Sequence, residues 1–149
     1  MQGITRMTIR STAILSAIFG LLVATAIQAG EPRYNDLKFS DSDDGDTSMT
    51  VFAADTPKIF LHAALVDVAS GAKLVGTWIA EKTDAAPPDY KIDSITLTAG
   101  LLTNVTTFSL SKPNAGWPVG DYRVELAIDG KPAGAAHFKV AGKPAADQD

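Results

Sequence analysis

The chain has 149 residues, with 13 Lys and Arg against 17 Asp and Glu, two His and no Cys; 46% of it is hydrophobic but only 7% aromatic. That length fits one domain. Arg6 and Arg10 are the only charged residues before Glu31, so positions 30–149 hold 11 basic and 17 acidic groups, a net charge of −6, which argues against a nucleic-acid partner. The lack of cysteine excludes disulfide scaffolds, thiolate metal centres and cysteine nucleophiles.

Residues 1–29 have the order of a Sec-type signal peptide: the basic Arg6 and Arg10, an uncharged apolar run at 13–27, and Ala-Ile-Gln-Ala at 26–29. Cleavage is expected after Ala29. The run of 15 residues is shorter than the roughly 20 needed to cross a bilayer, so the expected destination is the periplasm or the medium, with no membrane span after cleavage. Without cysteine, the exported domain must rest on its hydrophobic core alone.

Residues 30–49 are polar, with Leu37 and Phe39 alternating as a short edge strand and Asp41, Asp43, Asp44 and Asp46 forming an acidic loop. From residue 50 onward, short runs at 50–53, 59–68, 74–81, 90–98, 104–110, 122–128 and 135–140 are separated by turn signals, and none has a sustained helical period. Such spacing predicts an all-β antiparallel sandwich of seven to eight strands over 50–141, followed by an unstructured tail at 142–149. The clearest unit is the last. Tyr122, Val124, Leu126 and Ile128 alternate with Arg123, Glu125 and Ala127, and Asp129-Gly130 then supplies the positive φ of a tight hairpin. Trp78, inside the run at 74–81, is expected to fill the core. Lys131, Pro132 and Lys139 look like devices protecting an edge, which places the final strand, with the Leu37 strand, at sheet edges.

Trp117-Pro118, Gly120, Tyr122-Arg-Val-Glu-Leu126 and Asp129-Gly-Lys131 make the pattern W-P-x-G-x-Y-R-V-E-L-x-x-D-G-K. This pattern resembles the closing half of bacterial immunoglobulin-like modules, and Tyr122 resembles a tyrosine corner. The resemblance implies an immunoglobulin-like fold, with Trp117 plugging one end of the sandwich. It implies no particular activity, because such modules serve adhesion, chaperone, inhibitor and carbohydrate-accessory roles.

Asp41, Asp43, Asp44 and Asp46 are close enough to suggest Ca²⁺, yet counting from Asp41 puts Gly45 at position five and Phe52 at position twelve, where an EF-hand needs Gly at six and Glu at twelve. The run therefore reads as a solvated acidic loop. His62 lies on the strand face opposite Ile59, Leu61, Ala63 and Leu65, and His137 is in phase with outward positions; two histidines alone make an incomplete metal site. No nucleophile elbow or other catalytic signature is present. Trp117, Pro87 and Pro88 are the residues to consider for partner contact, the last two in a stiff Pro-rich loop at 84–88.

The expectation is thus an exported, non-enzymatic binding or structural module with no resident cofactor or metal, recognising a protein of the cell envelope. Two alternatives stay open: a carrier that uses the acidic loop or the two histidines for a metal or small ligand, and a protease-inhibitor-like module that uses the 84–88 loop.

Overall fold

A computed structural model describes residues 30–142, so the expected signal peptide at 1–29 and the tail from 143 lie outside the described residues. Eight strands follow in order: β1 (Arg33–Ser40), β2 (Val51–Ala53), β3 (Lys58–Val66), β4 (Lys73–Thr83), β5 (Tyr90–Thr98), β6 (Val105–Ser111), β7 (Gly120–Ile128) and β8 (Lys131–Ala141). They form two sheets. One has the order β1-β3-β6 and the other β2-β8-β7-β4-β5. Every pairing is antiparallel except that of β2 with β8, and no helix occurs among the described residues.

Alternation places the core. In β3, Ile59, Leu61, Ala63 and Leu65 are buried, while His62 and its neighbours on the other face are half-buried. In β7, Tyr122, Val124, Leu126 and Ile128 are buried as their period of two requires. Trp78 is 0% exposed and Phe108 of the facing sheet likewise. Aromatic rings gather around Phe138 of β8: Phe39 at 4.9 Å, Tyr122 at 5.0 Å, Phe52 at 5.7 Å and Trp78 at 5.9 Å. A chain with few aromatic residues thus concentrates them between the sheets, where their large buried areas count most.

The β7–β8 hairpin has the expected two-residue turn, with φ of 49° at Asp129 and 80° at Gly130, as a type I′ turn demands. Asp129 also ties the turn to β4: its N–H donates to Lys73 O at 2.9 Å and its Oδ1 accepts the Lys73 N–H at 2.8 Å. With so short a turn, β8 begins at Lys131 rather than at 135.

Two expectations need correction. The sandwich starts at Arg33, because β1 is eight residues long and buries Tyr34 and Phe39. Its alternation is broken by a bulge between Asn35 and Lys38, where Asp36 takes φ of 49° and Leu37 turns outward. The final strand, moreover, is not wholly an edge: residues 139–141 of β8 are covered by β2, and the true edges are β1 and β6 in one sheet and β2 and β5 in the other.

Candidate functional site

The acidic loop and His62 come together. A Cβ on Gly45 would stand 3.1 Å from the His62 ring, so the loop lies directly over the imidazole. His62 Nε2 is 3.0 Å from Ser40 Oγ and 3.3 Å from Ser42 O, and Nδ1 is 3.0 Å from Thr107 Oγ1. Asp44 accepts hydrogen bonds from the Ser42 hydroxyl and the Asp46 N–H, which hold its carboxyl below the usual range, with a smaller contribution from His62. Asp44 thus uses Oδ1 to organise its own loop. The line Ser40–His62–Thr107 has the connectivity of an activated hydroxyl, but Ser40 is 0% exposed and donates to Ser42 O; no substrate atom can reach it.

His137 lies on the other sheet, so the joint histidine site considered above is not formed. It pairs instead with Glu81 at 3.3 Å on the outer face of the five-stranded sheet. Among the described residues, no group of three or more His, Asp or Glu is placed to hold a metal ion.

Beside His137, Arg123 of β7 gathers three carboxylates, reaching Asp89 at 2.6 Å and Glu81 at 3.3 Å through Nη1 and Glu125 at 3.0 Å through Nε. Asp89, then Glu125, raise the already high pKa of the guanidinium further. This cluster anchors the start of β5. The Asp89 N–H donates to Glu81 O at 3.1 Å and Asp89 has φ of 57°, closing the turn after Pro87 and Pro88.

Of the residues considered for partner contact, Trp117 takes the plugging position that the resemblance implied. It is 2% exposed, its indole N–H donates to Thr56 O at 2.9 Å, and its ring meets Tyr122 edge-on at 6.0 Å. It plugs the sandwich end and is not free to serve as a projecting anchor. Tyr122 forms the corner its position suggested, donating its hydroxyl to Pro118 O. This bond fixes the 112–119 segment above β7, and a bridge between Thr83 and Ala86 fixes the 84–88 segment beside it.

Between the two segments lies a pocket of about 180 Å³. Trp117 and Tyr122 contribute to its lining, as do Pro113 and Pro118, Ala85 and Ala86, and Tyr90, which is 52% exposed. Thr83 also lines the pocket, and its buried hydroxyl has no hydrogen-bond partner among the described residues. Pro87 and Pro88 are exposed on the turn beside it. Sequence reasoning singled out Trp117 and the 84–88 loop with Pro87 and Pro88 separately and missed Thr83, Tyr90 and Arg123. No single stretch carries the pocket, because its walls, at 80–92 and 113–122, lie 21 to 42 residues apart in the chain; only the W-P-x-G-x-Y pattern hinted at that end of the fold.

No protein-family model matches the chain, and no curated protein sequence does. Among solved structures it is similar to an immunoglobulin-like protein from Pseudomonas aeruginosa, with a TM-score of 0.52 and 13% identity over 76% of this chain and 99% of that one. Weaker likenesses are to the alkylpurine DNA glycosylase of Pseudomonas fluorescens bound to DNA containing an abasic site analog (TM-score 0.46, 14% identity, 74% of this chain and 30% of that one) and to the β-glucosidase of Listeria innocua in complex with glucose (TM-score 0.44, 11% identity, 75% and 16%). Residues 33–141 form an immunoglobulin-like β-sandwich. At this identity the likeness is one of fold alone.

Proposed function

We propose that this protein is an exported, non-enzymatic binding module that recognises a protein of the cell envelope through the end of the sandwich formed by the 84–89 and 112–119 segments. The observation that carries this reading is the apolar pocket of about 180 Å³ between those segments, with the unpartnered Thr83 hydroxyl on its wall. Its volume suits one side chain rather than a drug-sized ligand, for which pockets of about 300 Å³ or more are usual. A small apolar socket with one polar group on its wall is a common element of protein interfaces. Export rests on the basic, apolar and Ala-Ile-Gln-Ala order of residues 1–29.

The absence of catalysis in this reading is supported by the burial of Ser40, whose hydrogen bond to His62 is the arrangement closest to a nucleophile and base. A carrier that uses both histidines loses its support, since they sit on different sheets. The inhibitor alternative is weakened by the Thr83–Ala86 bridge, which folds the 84–88 segment into a turn rather than an extended, protease-ready strand.

The test is affinity capture from envelope extracts with residues 30–149 and with Ala86→Arg, which fills the pocket mouth from an exposed turn. One envelope protein retained by the unaltered chain and lost with Ala86→Arg, at unchanged melting temperature, supports the reading. Equal retention by both would reject the pocket as the recognition site.

A further inference from the structure

From Ser94 to Ser111 the chain has 18 consecutive residues without a charge, although charged groups are spread through the rest of the sandwich. The fold places this run along one lateral side, because it comprises the second half of β5, the crossover between sheets, and all of β6. Both strands are sheet edges with no partner strand on their outer side among the described residues. The tip that joins them exposes Leu101 by 81% and Leu102 by 102%, and Leu102 adopts φ of 149°, which an L side chain rarely takes up.

The opposite side is guarded. There β1 is bulged at Asp36, β2 has only three residues, and β8 carries Pro132, all features that discourage strand addition. In β5, by contrast, guarding stops at Asp93: a bulge opposite Trp78 and Ile79 and the charges of Lys91 and Asp93 occupy its first half, and Ser94-Ile-Thr-Leu-Thr98 is regular, β-branched and free of Gly and Pro.

The backbone of that second half is in phase for pairing. Ala99 donates its N–H to Ala72 O at 2.9 Å and accepts from Gly71 N–H at 2.7 Å, so its polar groups face β4. By alternation those of Leu97 and Ile95 do too, and those of Thr98, Thr96 and Ser94 face the open edge. The Ser94 N–H is already held by Asp93 Oδ1 at 2.8 Å, which leaves the Thr96 and Thr98 N–H groups and the carbonyls of Ser94, Thr96 and Thr98 open to an added strand.

We infer that β5 pairs antiparallel with β5 of a second copy of this chain about a two-fold axis at Thr96, joining the two five-stranded sheets into one. Thr96 then exchanges both backbone hydrogen bonds with Thr96 of the other copy, and each Thr98 N–H meets a Ser94 carbonyl. Ile95 faces Leu97, and no charge faces a like charge, which matters for a chain of net charge −6 over residues 30–149. The same axis carries the Leu101–Leu102 tip of each copy past Ser94 of the other, toward the exposed Tyr90. Pairing through β6 is disfavoured because Thr107 contacts His62 beneath the acidic loop, and a two-fold there would bring two such loops together.

Sedimentation equilibrium of residues 30–149, which contain every described strand, reads this directly in purified protein with no partner present, so its failure is distinct from failure of the envelope-binding reading. The expected mass is twice that of the chain, falling to that of one chain for Thr96→Pro and for Thr96→Lys. The Thr96 N–H faces outward, so proline there leaves the ladder to β4 intact, and lysine places two like charges at the axis without altering the backbone. The mass of a single chain at every concentration reached would overturn the inference, as would a doubled mass that persists in the folded Thr96→Lys variant.

Discussion

Gly76 of β4 faces Phe108 of β6 so closely that a Cβ on Gly76 would stand 2.8 Å from Phe108 Cδ1. Glycine within a strand ordinarily weakens it, and here it is retained because the phenyl ring, 0% exposed, occupies the space a side chain would need. Gly76→Ala is therefore an overpacking substitution, expected to destabilise by about 1–3 kcal/mol. Phe108→Leu in the Gly76→Ala background should recover part of that loss, and a double-mutant cycle by urea denaturation measures the coupling. Additive costs would mean that the two positions do not compete for one space.

The β7–β8 turn makes a second prediction. Both Asp129 and Gly130 have positive φ, and Asp129 also holds β4 through its bonds to Lys73. Replacing the pair by Ala-Ala forces two L residues into the left-handed region, costing roughly 2–4 kcal/mol before the bond to Lys73 is counted. The single substitution Asp129→Asn, with Gly130 kept, preserves the φ preference and should lose far less. Equal losses in the two variants, measured by thermal unfolding, would contradict the turn geometry.

Trp78 fills the middle of the sandwich at 0% exposure, and its indole N–H has no partner among the described residues. Trp78→Ala should cost about 3–5 kcal/mol as a large truncation. Trp78→Phe should cost appreciably less, because it removes an unpaired buried donor together with only part of the volume. Similar losses for the two variants would show that the N–H is satisfied in solution.

Tyr34 donates its hydroxyl to Ala127 O at 2.9 Å, and burial pushes its pKa up to about 12; burial does the same to Tyr122, also to about 12. In the unfolded chain both ionise near about 10. A group whose pKa is raised by folding contributes stability that is fully present below its unfolded value and is lost as pH climbs through the folded one. The protein should lose stability between about pH 10 and pH 12, and Tyr34→Phe with Tyr122→Phe should flatten that slope while lowering stability at neutral pH through two lost hydrogen bonds. Denaturant midpoints followed from pH 8 upward check both parts; a slope unchanged in the double variant would assign alkaline unfolding to other groups.

The strands from β3 to β7 were legible because each buries one face and so alternates, and the hairpin was legible because Asp129-Gly130 has a backbone preference of its own. Tyr34 was not, since the bulge at Asp36 and Leu37 shifts the phase of β1 and hides its first half among polar residues. The parallel pairing of β2 with β8 left no trace either, as three residues hold too little pattern to reveal a direction. Trp117 was recognised as a plug by its motif, whereas the pocket above it depends on Thr83, Ala86 and Tyr90 arriving from a distant turn. Local chemistry fixes strands and turns, and a socket between two loops is a property of their meeting.

Site-specific photo-cross-linking tests the central claim most directly. Residues 30–149 carrying a photoreactive side chain at Ala86, beside the pocket, or at Leu37, on the bulged β1 edge, are irradiated in envelope extract. The account predicts one dominant adduct with another protein from position 86 and none from position 37. Adducts of equal yield at both positions, or none at position 86, would contradict recognition through this end of the sandwich.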